Sequence, residues 1–231
     1  MNTHMAMFLS GASVQARGRP ANYYEQARPD VAALVPPECR RVLEIGCAGG
    51  ELGRLLRTRG HHVTGIELVP EMAERARGWL DHVVTADVER DGFPFPRASF
   101  DALVFADVLE HLLDPWRVLR EAVEVLAEDG VVVASIPNVQ NFDVLRRLLR
   151  GRWDYRERGI LDFGHLRFFT LHSIRTLFAQ AGLTVEHVDH RYRRSWWREL
   201  LCFLTAGRAR AFWTRQYLVV GRPSVRKNLE G

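Results

Sequence analysis

The sequence predicts an α/β fold in which a mostly parallel sheet carries helices on both faces. Three observations predict it. Short apolar runs alternate with amphipathic stretches over most of the chain, the pattern of parallel strands joined by crossover helices. The first apolar run passes directly into a small-residue turn, Gly46-Cys47-Ala48-Gly49-Gly50. The chain has 231 residues, 47% hydrophobic and 26% charged. That suits one buried core, because single cores tend to split only above about 250 residues.

Taken in order, strands are expected at 41–45, 62–66, 82–86, 101–105 and 131–136. Helices are expected between them at 50–59, 70–78 and 114–127. The last starts with Asp114 as N-cap and Pro115 in its first turn, and ends before Gly130, each residue in its favoured place. The rhythm then changes. Residues 137–169 read as irregular, too long for an ordinary connection, with a helix at 145–150 inside them. A helix at 171–181 follows, with Thr170 as N-cap and Gly182 past its end. A strand at 183–189, an arginine- and tryptophan-rich insert at 191–215, and a final strand at 216–221 complete the chain.

Composition excludes several classes. Cys39, Cys47 and Cys202 are far apart and lack metal-ligand spacing, which argues for a reducing compartment and against a disulfide framework or zinc site. No apolar run approaches the ~18 residues that cross a bilayer, and the N-terminus lacks a signal-peptide pattern. A cytoplasmic location is the expectation. The net charge is +4, but Lys227 is the only lysine, a skew that reflects genome composition more than a binding surface. The arginines concentrate in 146–158 and 191–215. The second stretch mixes them with aromatics, as a nucleic-acid surface does, although nucleic acid is not the expected partner.

A small-residue turn after a strand lets a ligand approach the backbone. A dehydrogenase would require Gly-x-Gly-x-x-Gly; this turn offers Gly46-x-Ala48-x-x-Glu51, with an acid where a pyrophosphate would approach. Glu44-x-Gly46-x-Ala48-x-Gly50 instead resembles the first motif of class I S-adenosylmethionine-dependent methyltransferases, with Ala48 in place of the commoner glycine. That resemblance implies a Rossmann-like, seven-stranded, mostly parallel sheet with an antiparallel last strand. It also implies that the turn lies beneath the methionine part of the cofactor, with Glu44 positioning its amino group. Glu67, followed by Leu68, would accept the ribose hydroxyls, as a carboxylate can take two hydrogen bonds at once. Asp87, followed by Val88, would receive the adenine amine, and Asp107 would touch cofactor or substrate. Tyr23-Tyr24-Glu25 resembles the N-terminal helix that closes over the cofactor, which includes Tyr24 in the binding set. The product would be S-adenosylhomocysteine.

The resemblance runs from about Tyr23 to Pro223. Phe100 to Val104, followed by Asp107-Val108-Leu109-Glu110-His111-Leu112, is similar to the ubiquinone-biosynthesis O-methyltransferase group. The segments 151–155 and 161–170 resemble a bacterial subgroup encoded beside glycan or natural-product genes. The implied organisation is an N-terminal segment and lid helix at 1–40, a cofactor core at 41–137, and a substrate-side segment at 138–231, all in one domain.

Methyl transfer needs alignment of donor and acceptor and removal of a proton. For a hydroxyl acceptor histidine is the usual base. His165, in the irregular segment, is the better candidate, with a brace for the 167–170 turn as its alternative; His111, after the fourth strand, could equally be structural, holding its loop. Asn138, Trp153, Tyr155 and Arg167 are expected on the substrate side. The segment Ala106-Asp107-Val108-Leu109 lacks the Asn/Asp-Pro-Pro-Tyr/Phe pattern of exocyclic-amine methylation and a cysteine for cytosine C5 chemistry. Glu110 and Asp114 are too few carboxylates to claim a metal site, so none is expected.

In the insert, Trp196, Trp197, Leu200, Leu201 and Leu204 recur at helical spacing. They are expected to form a wall or lid of the acceptor pocket; a homodimer contact or an anionic membrane surface is the alternative. The expected function is O-methylation of a small hydroxylated acceptor. The competing readings are an inactive cofactor-binding assembly or regulatory module, and an RNA methyltransferase working through the insert.

Overall fold

The computed structural model describes residues 27–193 and 195–224. Tyr24 and the expected lid helix lie outside them. Seven strands form one sheet: β1 (Arg41–Ile45), β2 (His62–Glu67), β3 (His82–Thr85), β4 (Phe100–Ala106), β5 (Leu126–Pro137), β6 (Leu183–Arg191) and β7 (Gln216–Pro223). Their order is β3-β2-β1-β4-β5-β7-β6. The first five are mutually parallel where they pair, and β7 runs antiparallel to both β5 and β6. The strand order turns back between β1 and β4, which opens a crevice at their carboxyl ends.

Both sheet faces are buried, which explains why the strands read as continuous apolar runs and not as alternating ones. On one face Leu43, Ile45, Leu103 and Phe105 pack against α4 (Pro115–Glu124) and α6 (Leu171–Gln180) through Val118, Leu119, Ile174 and Phe178. On the other, Val42, Val63 and Val104 pack against α1 (Pro29–Ala32), α2 (Glu51–Thr58) and α3 (Pro70–Arg77). Asp114 caps α4 by accepting from the Arg117 N–H at 3.0 Å, and Thr170 and Ser173 form a reciprocal capping box on α6.

Several boundaries differ from expectation: β5 begins five residues early, at Leu126, and β6 and β7 each run two residues longer, to Arg191 and Pro223. Helix α4 ends at Glu124, not 127, because Leu126 already pairs with Phe100 ahead of a register shift into Ala102–Val131. The helix in the irregular segment starts earlier, as α5 (Phe142–Leu148), because the Asn141 side chain caps it by accepting from the Asp143 N–H. The insert holds two helices, α7 (Trp196–Leu204) and α8 (Arg210–Trp213).

The antiparallel end of the sheet depends on a close approach at Gly221 of β7. A Cβ there would stand 2.7 Å from the Phe178 ring of α6 and 3.3 Å from the Thr184 carbonyl oxygen of β6. Gly221→Val is therefore expected to cost about 1–3 kcal/mol by overpacking. Urea unfolding checks this: the midpoint falls with an unchanged slope.

Candidate active site

The carboxyl ends of β1, β2 and β4 and the segment after β3 line one cleft of about 470 Å³, within the ordinary range for small-ligand sites. The turn after β1 forms its floor. Gly46, Ala48 and Gly50 all have left-handed backbones, with φ of 68°, 46° and 86°. Gly46 has a second constraint, since a Cβ there would lie 2.9 Å from the Val108 side chain. Ala48, Asp107 and Arg28 are three of the five described non-glycine residues with positive φ, and all three line the cleft. Strain of this kind persists where surrounding structure holds it and concentrates at functional sites.

Glu67 fixes the turn. Its Oε2 accepts from the Ala48 N–H at 2.8 Å, and its Oε1 accepts from the Val69 N–H at 2.8 Å. Each oxygen keeps a lone-pair direction for a further donor. Burial pushes this carboxyl up, against those backbone donors. Glu44 is more isolated. It is buried, and among the described residues its Oε2 has no hydrogen-bond partner. Burial first, then the neighbouring Glu67, raise its carboxyl to about 8. Asp87 lines the cleft with Oδ1 accepting from the Glu89 N–H at 2.9 Å, and Leu68 and Val88 line it too. Gly50 lies behind the turn as the N-cap of α2, outside the lining.

This set fits S-adenosylmethionine. Its amino group, ribose hydroxyls and adenine amine are all donors, and Glu44, Glu67 and Asp87 are acceptors. Seven acidic residues line the cleft (Glu44, Glu51, Glu67, Asp87, Glu89, Asp107 and Glu110) against Arg28, Arg158 and Arg215. Even with Glu44 set aside, since it keeps its proton to about 8, the acids outnumber the three arginines, which suits a sulfonium cation better than a pyrophosphate.

Beyond the turn, Asp107 accepts from the Ser135 hydroxyl at 2.7 Å and from the side chains of Arg28 and Gln216. Burial pushes its carboxyl up, with Arg28 opposing. Next to it, Leu109–His111 forms one 3₁₀ turn. The Nδ1 of His111 donates to the Gly164 carbonyl at 2.8 Å, and the Nδ1 of His165 donates to the Ile160 carbonyl at 2.9 Å. A carbonyl only accepts, so each neutral ring carries its proton on Nδ1 and its lone pair on Nε2. The rings meet edge-on, with centroids 4.8 Å apart. Beside them lies Glu110, with Oε1 3.9 Å from the His165 Nε2. Both Glu110 oxygens are buried without a hydrogen bond among the described residues. Burial, reinforced by Asp107, raises this carboxyl well above the usual range. One ligand atom from each of Glu110, His111 and His165 falls within 4.8 Å of the others. The sequence pairs Glu110 only with Asp114; the fold turns Asp114 into a helix cap and supplies two imidazoles in its place.

Four expected substrate-side residues lie outside this cleft. Asn138 is buried, donating to the Ala211 and Thr214 carbonyls at 2.7 and 2.9 Å and accepting from the Gln140 N–H. Trp153 packs on Phe168, and Tyr155 stacks on Phe163. Arg167 donates to the Leu113 carbonyl and lies over the Trp116 ring. Arg28, Arg158, Ile160, Arg215 and Gln216 line the cleft, and no motif of the sequence points to them.

The raised Glu44 carboxyl has a consequence for stability. Unfolded, it ionises near the ordinary value of 4.5; folded, it keeps its proton to about 8. The folded state thus holds the extra proton between these values, so stability falls as pH rises through that window. Thermal denaturation of the ligand-free chain from pH 5 to 8 is expected to show this fall, with a flatter slope for Glu44→Gln.

A family model described as a methyltransferase domain matches residues 18–188. A ubiquinone biosynthesis O-methyltransferase of Xanthomonas axonopodis pv. citri is 28% identical over 181 residues, 72% of each chain. One of the same name from Xylella fastidiosa is 33% identical over 113 residues, 47% of this chain, and the match spans about half the relative's length, 46%. Among solved structures, a 1,6-didemethyltoxoflavin-N1-methyltransferase of Burkholderia thailandensis with bound S-adenosylhomocysteine is 18% identical. Its TM-score is 0.57, covering 87% of this chain and 79% of that one. The chain belongs to the methyltransferase domain family, as a class I enzyme that takes its methyl group from S-adenosylmethionine.

Proposed function

We propose that the chain methylates a hydroxyl of a small acceptor, such as a sugar, a glycan intermediate or a natural product, with His165 as general base. The observation that carries this reading is the orientation of the His165 ring. Its Nδ1–H donates to the Ile160 carbonyl at 2.9 Å, so Nε2 is the ring atom able to take a proton, and the buried His165 lines the cleft. Glu44, Glu67 and Asp87 would hold the cofactor, which when bound supplies an electrophilic methyl group. His165 Nε2 would take the acceptor's hydroxyl proton as the oxygen attacks. Glu110 would stabilise the resulting imidazolium. The ubiquinone-biosynthesis relatives, O-methyltransferases by name, favour oxygen over nitrogen as the acceptor atom.

One observation favours a second reading. The three convergent ligand atoms of Glu110, His111 and His165, with both imidazoles oriented by backbone carbonyls, match the way such ligands are usually held around a divalent cation. There Glu110, His111 and His165 would hold a cation that lowers the pKa of the acceptor hydroxyl, whose proton would then pass to solvent and not to His165.

Turnover of the methyl donor against a panel of sugars, phenols and RNA tests the acceptor class, with hydroxylated small molecules expected to react. His165→Ala is expected to lower kcat by about 10²–10⁴-fold, the range for a general base, while S-adenosylhomocysteine binding persists. Near-normal turnover by His165→Ala would exclude the base assignment. Wild-type activity lost to a chelator and restored by a divalent cation would favour the second reading.

A further inference from the structure

Helix α7 is amphipathic in the reverse sense. Trp196, Leu200, Phe203 and Leu204 follow one another at i, i+4, i+7 and i+8, so they share one stripe. That stripe is expected to pack on its own domain, yet it points outward: these residues are 79%, 49%, 82% and 69% exposed. The body-facing side is the less apolar one. There Cys202 is buried, Glu199 accepts from the Tyr192 hydroxyl at 2.8 Å, and Arg198 lies 5.0 Å from the rings of both Trp197 and Trp213. A lid or wall of the acceptor pocket would turn its apolar side inward, and no residue of α7 lines the cleft.

The apolar face continues onto α5. The Trp213 ring of α8 lies 5.1 Å from Trp197 and 5.7 Å from Phe142. Phe142 is followed at i+7 by Leu149, on the same side of the helical turn and 89% exposed. An exposed apolar face of this extent on a folded domain marks an interaction site.

Charge identifies the occupant. Apart from Arg198 and Glu199, which face the body, the segments 142–150 and 195–213 hold five arginines, Arg146, Arg147, Arg150, Arg208 and Arg210, against one acid, Asp143. A second copy docked about a two-fold axis would set this face against itself and bring the arginines together. An RNA strand would need bases stacked within a groove, whereas these rings protrude from a helix. An anionic bilayer meets both requirements, since its headgroups pair with arginines and its acyl boundary takes Trp, Phe and Leu.

We propose that α7, α8 and the start of α5 form a docking face for an anionic lipid bilayer. The cleft adjoins this face: Arg215 and Gln216, just past Trp213 and Thr214, line it. Docking would therefore hold the acceptor side of the cleft at the bilayer surface. This inference goes beyond the acceptor reading and does not depend on it.

Flotation of the full chain with vesicles of phosphatidylcholine, with and without phosphatidylglycerol, tests it. The chain is expected to float with the anionic vesicles only, and less so at high salt, which screens the arginines. The double variant Trp196→Ser, Phe203→Ser is expected to bind about tenfold or more weakly, having lost two anchoring side chains. Its S-adenosylhomocysteine affinity should be unchanged, which shows that it is folded. In wild type, bromine-labelled lipids should quench tryptophan emission, a readout that needs no variant. Absence of flotation with anionic vesicles would overturn the proposal, as would equal flotation by the double variant. A wild-type dimer that dissociates in the double variant, without vesicle binding, would assign the face to a second copy instead.

Discussion

Glu67 ties the end of β2 to the turn after β1, because its two oxygens accept the Ala48 and Val69 N–H groups at 2.8 Å each. Ala48 has a left-handed backbone without being glycine, a conformation that costs energy and persists only when something holds it. The Glu67 carboxylate holds it. The floor of the cleft depends on that buried acceptor. Burial raises both Glu44 and Glu67, so the ligand-free site keeps two carboxyls away from water with few donors to answer them. A ligand bearing an amino group and vicinal hydroxyls supplies what is missing.

The two sides of the cleft are built differently. On the donor side, each acceptor sits at a strand end, and hydrogen bonds between neighbouring strands set its position. On the acceptor side, Glu110 and His111 sit on a 3₁₀ turn while His165 arrives from a segment more than fifty residues later. They are held together by backbone bonds: the Leu166 and Arg167 N–H groups donate to the Glu110 carbonyl, and His111 donates to Gly164. A few backbone contacts therefore decide whether these three side chains form a base and its partner or a cation site.

This difference explains what was legible in the sequence. The sheet was legible because each parallel strand is a short apolar run ending at a turn signal, and Glu44, Glu67 and Asp87 stand at those ends. The capping residues Asp114 and Thr170 were legible for the same local reason. Arg28, Ser135 and Gln216 were not. They meet Asp107 from positions 79, 28 and 109 residues away, and no local pattern announces such a meeting. Asn138 follows β5 as a substrate residue would, but its amide is tied to the backbone ahead of β7. The stripe on α7 was visible as a stripe; its outward direction is set by tertiary packing, which helical spacing does not encode.

The central claim is that buried carboxylates at strand ends hold the methyl donor, and calorimetry with S-adenosylhomocysteine tests it most directly. The account predicts saturable binding by the wild-type chain. For Glu67→Gln it predicts affinity weaker by about tenfold or more, because a charged acceptor of two hydrogen bonds is lost. Failure of the wild type to bind, or equal affinity in Glu67→Gln, would contradict it.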